Sequence, residues 1–333
     1  MSCSTPLVDA FQRRITYLRL SVTDRCDLRC TYCMPERMEF LPRKEVLSLE
    51  ELHQLALGMI DRGISKIRLT GGEPLVRRDV IELVQALGRK LGDGLEELTL
   101  TTNGTQLAQF ADQLAAAGVR RINVSLDTMD AALFEQLSRR DRLSQVLQGI
   151  QAAAEAGIKV KINTVALKAL NDEEIPYLVE WAHRHGHEMT LIEVMPLGEV
   201  EGDRVDHYLP LTAVRDALDA RWTLTETAHR SGGPARYVDI AETGGRLGFI
   251  TPLTNNFCAG CNRIRVTATG QLYACLGGAE QVDLRAALRS EAPDANLQAA
   301  LDEAMRIKPE KHHFRIERGA APAQPRHMSL TGG

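Results

Sequence analysis

The sequence predicts an α/β protein built on a parallel sheet, and two observations carry that prediction. Between residues 15 and 195, short β-branched apolar runs alternate with longer helical patterns, the rhythm of repeated strand-helix units. Four of those helical patterns end at Gly63, Gly118, Gly157 or Gly186, where a helix commonly closes on a left-handed residue before the next strand.

The elements follow in order. A strand over 15–21 leads into a polar, cysteine-bearing loop. Ser48, with Glu51 three residues on, reads as a capping box that opens a helix over 49–62. Strands are then expected at 66–70, 97–101, 121–126, 159–165 and 190–194, with helices at 80–91, 106–117, 143–156 and 172–185. These units are too few for a closed eightfold barrel, and periodicity leaves open the choice between a doubly wound sheet and a partial barrel. Either way the chemistry belongs at the strand C-terminal ends. Those ends read as polar or glycine-rich at 21–33, 70–74, 101–104, 125–127 and 195–198.

After residue 200 the rhythm changes. A helix at 212–221, hairpin strands at 237–240 and 247–251, a second hairpin at 262–268 and 271–274, and helices at 282–289 and 296–305 are expected. The implied division is an extension over 1–14, a strand-helix unit over 15–200, a smaller α+β region over 201–320 and a tail over 321–333.

The chain has 333 residues and 44% hydrophobic content, enough for a sizeable core. Its net charge of -4 argues against a nucleic-acid platform. No run of 18 apolar residues and no secretory layout is present, so a cytosolic protein without membrane contact is expected. In a reducing compartment, clustered cysteines are metal ligands or redox groups rather than disulfides. Cys3 reads as a free thiol in a frayed terminus. The histidines His183, His185, His187, His312 and His313 join no ligand spacing and read as surface residues, and Glu96, Glu97, Glu173 and Glu174 as exposed charges.

The other six cysteines form two triads, Cys26, Cys30, Cys33 and Cys258, Cys261, Cys275. Each is one thiolate short of a closed metal site, which leaves a coordination position for substrate or cofactor. The first triad sits on one short loop and suits three corners of a cubane cluster. The second, read alone, fits zinc and iron-sulfur equally. Arg263 and Arg265 follow it at i and i+2, on one face of a strand, as a phosphate or base clamp would require.

The Cys-x-x-x-Cys-x-x-Cys loop, with Tyr32 before its third cysteine and Gly71-Gly72-Glu73-Pro74 after the second strand, resembles the radical S-adenosylmethionine (SAM) superfamily. That resemblance implies a partial (β/α)6 TIM-like barrel with a smaller C-terminal α+β region, and contacts to SAM from Tyr32, Gly72, Ser125 and Met195. The segments 18–26, 68–74, 101–104, 123–127 and 192–196, the second triad and the Gly332-Gly333 end are similar to the superfamily branch that opens molybdenum cofactor biosynthesis. The resemblance implies two [4Fe-4S] clusters, one on each triad, and GTP as substrate. GTP would be held by Arg19, Arg68, Thr101, Lys161, Arg263, Ile264 and Arg265. It assigns catalytic roles to Arg263, Arg265, Gly332 and Gly333. A SAM-derived 5'-deoxyadenosyl radical would take the ribose 3' hydrogen, and the carbon radical would attack guanine C8. The product would pass to cyclic pyranopterin monophosphate synthase; the chain would act as monomer or homodimer with an electron donor that the resemblance leaves unspecified.

Two other readings compete. A radical SAM peptide maturase also carries extra cysteines, though generally more than three, and needs no Gly-Gly end. A zinc or redox-sensor scaffold on nucleic acid would need a basic stripe, which the acidic balance does not supply.

Overall fold

The structure is a computed structural model and describes residues 5–254 and 257–332. Strand β1 (Tyr17–Ser21) is followed by α1 (Leu49–Ile60), β2 (Lys66–Thr70), α2 (Val80–Gly88), β3 (Glu97–Thr102), α3 (Leu107–Ala116), β4 (Arg121–Ser125), α4 (Ala131–Ser138), α5 (Leu143–Glu155), β5 (Lys159–Ala166), α6 (Ile175–Arg184) and β6 (Glu188–Glu193). Neighbouring strands from β1 to β6 pair in parallel in chain order, the six strand-helix repeats that the sequence predicts. The capping box forms: Glu51 N–H donates to Ser48 Oγ (3.1 Å) and Ser48 N–H to Glu51 Oε2 (2.8 Å). Gly63, Gly118, Gly157 and Gly186 all take positive φ.

Alternation along the strands separates core from cavity. Leu18 and Leu20 on β1 and Ile67 and Leu69 on β2 are fully buried in the apolar layer beneath the helices. Tyr17, Arg19, Lys66 and Arg68 occupy the opposite phase, the inner face. Every residue of β2 is buried, as a strand covered on both sides requires.

The remaining elements are α7 (Arg204–His207), α8 (Leu211–Asp219), β7 (Leu224–Glu226), β8 (Arg236–Ile240), β9 (Gly245–Ile250), β10 (Arg263–Val266), β11 (Gln271–Tyr273), β12 (Gln281–Asp283), α9 (Leu284–Leu288), α10 (Pro293–Arg306) and α11 (Met328–Thr331). Their strands extend both ends of the same sheet. β10 pairs in parallel with β1, and β9 in parallel with β6, giving the order β12-β11-β10-β1-β2-β3-β4-β5-β6-β9-β8-β7. The sequence reading missed α4 and β7, and took as helix a segment that begins as β12. Among the described residues no helix is long and apolar enough to cross a membrane.

Candidate active site

Cys26, Cys30 and Cys33 lie in the loop after β1 and line one cavity together with Tyr32, Gly72, Ser125 and Met195. The loop turns tightly, with Cys33 and Met34 N–H groups both donating to the Cys30 carbonyl (2.9 and 3.1 Å). The glycines of the 71–74 segment have a packing role. A Cβ on Gly72 would lie 2.4 Å from the Arg25 carbonyl oxygen, so only glycine lets this turn close on the cysteine loop. The SAM contact that the resemblance implies for Gly72 is thus joined by a packing constraint, and Gly72 N–H and Glu73 N–H also donate to the Thr23 and Arg25 carbonyls (3.0 and 2.8 Å).

Glu73 is fully buried and ties β2 to β3. Its carboxyl accepts from Leu75 N–H (3.0 Å), Thr102 Oγ1 (2.8 Å) and Asn103 N–H (2.6 Å). Burial raises its pKa to about 7, against the pull of those donors. Asp127 accepts from Tyr32 Oη (2.6 Å) and Val165 N–H (2.8 Å), and burial lifts it to about 6. Glu73, Asp127 and Asn103 fall in the 71–74, 123–127 and 101–104 segments, where the sequence gives none of the three a site role. Their partners come from other strands, which spacing does not reveal.

A second cavity shares Asn163, Ile192 and Met195 with the first. Cys258, Cys261 and Cys275 line it, with Arg19, Arg68, Lys161, Arg263 and Arg265. In register, Arg19 on the central β1 stands opposite Arg265 on β10 and Arg68 on β2. Three guanidinium-bearing residues therefore form a row across three adjacent strands. Like charges directly opposite destabilise a sheet unless an anion sits among them. Burial, then Arg19 and Arg263, push Arg265 well below the usual arginine range, and burial brings Arg19 to about 10. Tyr17 supports the row from within, its ring centroid 4.9 Å from Lys66 Nζ and 5.6 Å from Arg68 Cζ.

Lys161 is also buried, and its Nζ donates to Tyr237 Oη. Burial, reinforced by Arg68, Arg121 and Lys66 and opposed by Glu188, lowers its pKa to about 7. The Cys261 thiol stands at about 7, because Arg263 and Lys308 outweigh the upward effect of burial. Lys308 Nζ also donates to the Arg263 carbonyl (3.0 Å).

Two expected nucleotide contacts fall elsewhere. Thr101 lines the first cavity, its Oγ1 3.5 Å from Arg68 Nη1, and the Ile264 side chain packs in the apolar core, so only its main chain can face the cavity. Gly332 touches a residue of each cavity: its carbonyl accepts from Arg265 Nη1 (2.5 Å), and a Cβ added to it would run into Thr70 of β2. Arg326 anchors the tail, donating to the Cys275 and Gly278 carbonyls (3.4 and 2.7 Å). Gly333 and Cys3 lie outside the described residues. His183, His187 and His312 are buried rather than on the surface; His312 lines the second cavity beside Phe314, ring centroids 4.4 Å apart. Glu97 is likewise engaged, pairing with Lys66 (2.7 Å) and Arg121 (2.6 Å), and Glu174 accepts from Met129 N–H (2.8 Å).

Both donor sets fit iron-sulfur clusters: three thiols on one cavity wall, with a side of the cavity left for an added ligand. Among the described residues, no three His, Cys, Asp or Glu side chains converge on a single-ion position. A cluster that places each thiolate on its own iron does not require such convergence.

This fold and cysteine loop define a radical SAM enzyme. Residues 20–182 match the Radical SAM superfamily, and 187–314 match Molybdenum Cofactor Synthesis C. The chain is 72% identical over 330 residues to GTP 3',8-cyclase of Erythrobacter litoralis (strain HTCC2594), covering 99% of each chain. It is 58% identical to GTP 3',8-cyclase of Rhizobium meliloti (strain 1021), covering 99% of this chain and 95% of the relative. The chain belongs to the GTP 3',8-cyclase family. Among solved structures, Streptococcus suis SuiB bound to S-adenosylmethionine superimposes with TM-score 0.61 at 20% identity, over 91% of this chain and 68% of that one. Native anSMEcpe with bound AdoMet gives TM-score 0.58 at 16% identity, over 85% and 83%. These two likenesses concern the fold alone.

Proposed function

We propose that this chain cyclises GTP using SAM, with SAM in the first cavity and GTP in the second, as a cytoplasmic enzyme of molybdenum cofactor synthesis. The observation that carries the residue assignment is the Arg265-Arg19-Arg68 row facing a cavity that adjoins the first cysteine triad. A cluster on Cys26, Cys30 and Cys33 would supply the electron that splits SAM, and one on Cys258, Cys261 and Cys275 would offer its free position to the guanine base.

The residues of the chain supply position and enclosure. The arginine row and Lys161 would hold the triphosphate by charge-assisted hydrogen bonds, fixing the ribose toward the shared wall of Asn163, Ile192 and Met195. Arg263, at the edge of the second triad, would orient the base. Tyr32 and its Asp127 partner would form the SAM wall with Gly72, Ser125 and the main chain of Met195. The seated tail would keep water from the reacting sugar. A division into a barrel unit over 15–200 and a region over 201–320 that carries the second triad would serve this arrangement, with one triad on each of two adjoining cavities.

Anaerobic turnover with GTP and SAM tests the reading. 5'-Deoxyadenosine and a cyclised GTP are expected together, with iron and sulfide equivalent to two clusters per chain. SAM cleavage independent of GTP, with a bound peptide as the modified species, would favour a peptide maturase. Stoichiometric zinc would sink the second cluster.

Lys161 provides a pH test. In the free protein its amine is mostly neutral above pH 7. A polyphosphate beside it favours the charged form, so binding takes up a proton and affinity falls as pH rises from about 7 toward the ordinary lysine value of about 10.4. Calorimetry of GTP binding at pH 8, in buffers of different ionisation enthalpy, should show that uptake. Lys161→Met should remove it; equal uptake in the variant rules Lys161 out as the source. Burial sets this pKa first, with Arg68, Arg121 and Lys66 lowering it and Glu188 raising it, while the facing Tyr237 hydroxyl accepts from Nζ.

A further inference from the structure

The turn after β3 places one amide against the first triad. Asn103 is buried at 9% exposure and lines the first cavity. Its orientation is determined by hydrogen bonds: Oδ1 accepts from Thr105 N–H (3.0 Å), which directs Nδ2 the other way. One Nδ2 hydrogen reaches Asp27 Oδ1 (2.7 Å), and the other faces Cys26 Sγ at 3.7 Å. The amide's two hydrogens and two nearby acceptors therefore match. The arrangement is held from both sides. Asn103 N–H donates to Glu73 Oε2 (2.6 Å), and Thr105 Oγ1 donates to Asp27 Oδ2 (2.6 Å).

We propose that Asn103 is a positioning residue that sets the reduction potential of the cluster on Cys26, Cys30 and Cys33, donating N–H···S to the Cys26 thiolate while the Asp27 carboxylate opposes it. This rests on Cys26 being a cluster ligand. Reduction adds negative charge to the cluster, part of it on the sulfurs. A hydrogen bond to sulfur stabilises that charge and raises the potential, whereas an adjacent carboxylate lowers it. Burial enlarges both effects by excluding water. The amide thus touches the thiolate, and the carboxylate is kept one hydrogen bond away from it.

The test is a reductive titration of the anaerobically reconstituted full chain, followed by electron paramagnetic resonance on the signal that SAM perturbs. Asn103→Leu should shift the midpoint to more negative potential, and Asp27→Asn to more positive, with iron content per chain unchanged. A purely structural role would not give shifts of opposite sign. An unchanged midpoint in Asn103→Leu overturns the proposal and leaves the ligand assignment standing. If Asn103→Leu does not retain a cluster, Asp27→Asn decides: an unchanged or more negative midpoint overturns the proposal. A wild-type chain without a SAM-responsive cluster overturns the proposal and the ligand assignment together.

Discussion

Replacing Cys26 with alanine is expected to abolish 5'-deoxyadenosine formation, and with it all cyclisation of GTP. Among the described residues Cys26 is one of three thiols on its cavity, and two thiolates would not retain a cluster that already has an open corner. Loss of a ligand should exceed the roughly 10–100-fold cost of losing an outer partner of a metal site. The fold should survive. Cys26 is partly exposed on a loop, at the edge of the core, and such truncations cost on the order of 1 kcal/mol. Chromatographic assay of both products, with thermal unfolding of the apo-protein as control, checks the result. Cys258→Ala separates the two triads: SAM cleavage should persist in part while cyclisation fails. Unimpaired cyclisation in either variant would refute the two-cluster mechanism.

Gly332→Ala carries the second largest effect. The new Cβ would stand 2.0 Å from Thr70 Oγ1 and 2.3 Å from Thr70 Cβ, on a strand that cannot yield, and φ at Gly332 is +73°. The tail must leave its seat, taking the Gly332 carbonyl away from Arg265 Nη1. Arg265 then loses a fixed orientation at the end of its row, beside Arg19. A misplacement of about 1 Å at such a group costs on the order of 10²-fold in turnover. Iron content and unfolding temperature should stay near wild type, because Gly332 belongs to no strand of the sheet and to neither cysteine triad. Thr70→Gly tests the cause: removing the obstructing Oγ1 and Cβ together should restore part of the activity of Gly332→Ala. Full activity in Gly332→Ala alone would exclude the seated tail from the mechanism.

Much of the barrel was legible because local signals agree there. β1 through β6 fall where β-branched runs end at polar turns, and α1 starts at the Ser48–Glu51 box. What the sequence could not show was pairing between distant segments. β9 and β10 are short strands whose composition suits any hairpin, yet each becomes a parallel neighbour of the barrel, β9 beside β6 and β10 beside β1. The buried histidines show the same limit. His183 reads as polar, but its ring nitrogens bond Thr243 Oγ1 (2.7 Å) and the Arg246 carbonyl (3.1 Å), partners 60 residues or more away.

The sequence by itself determined the parallel α/β repeats, the two open thiol triads, the shared face of the Arg263–Arg265 pair and the family. These depend on spacing within one element or one loop, which the chain carries locally. The tertiary structure decided that Arg265, Arg19 and Arg68 share one register row, that only glycine fits at 332 against Thr70, and that Asn103 meets Cys26. Each of these joins residues from different strands or from the tail. Their proximity follows from sheet pairing and close packing, which no local pattern encodes.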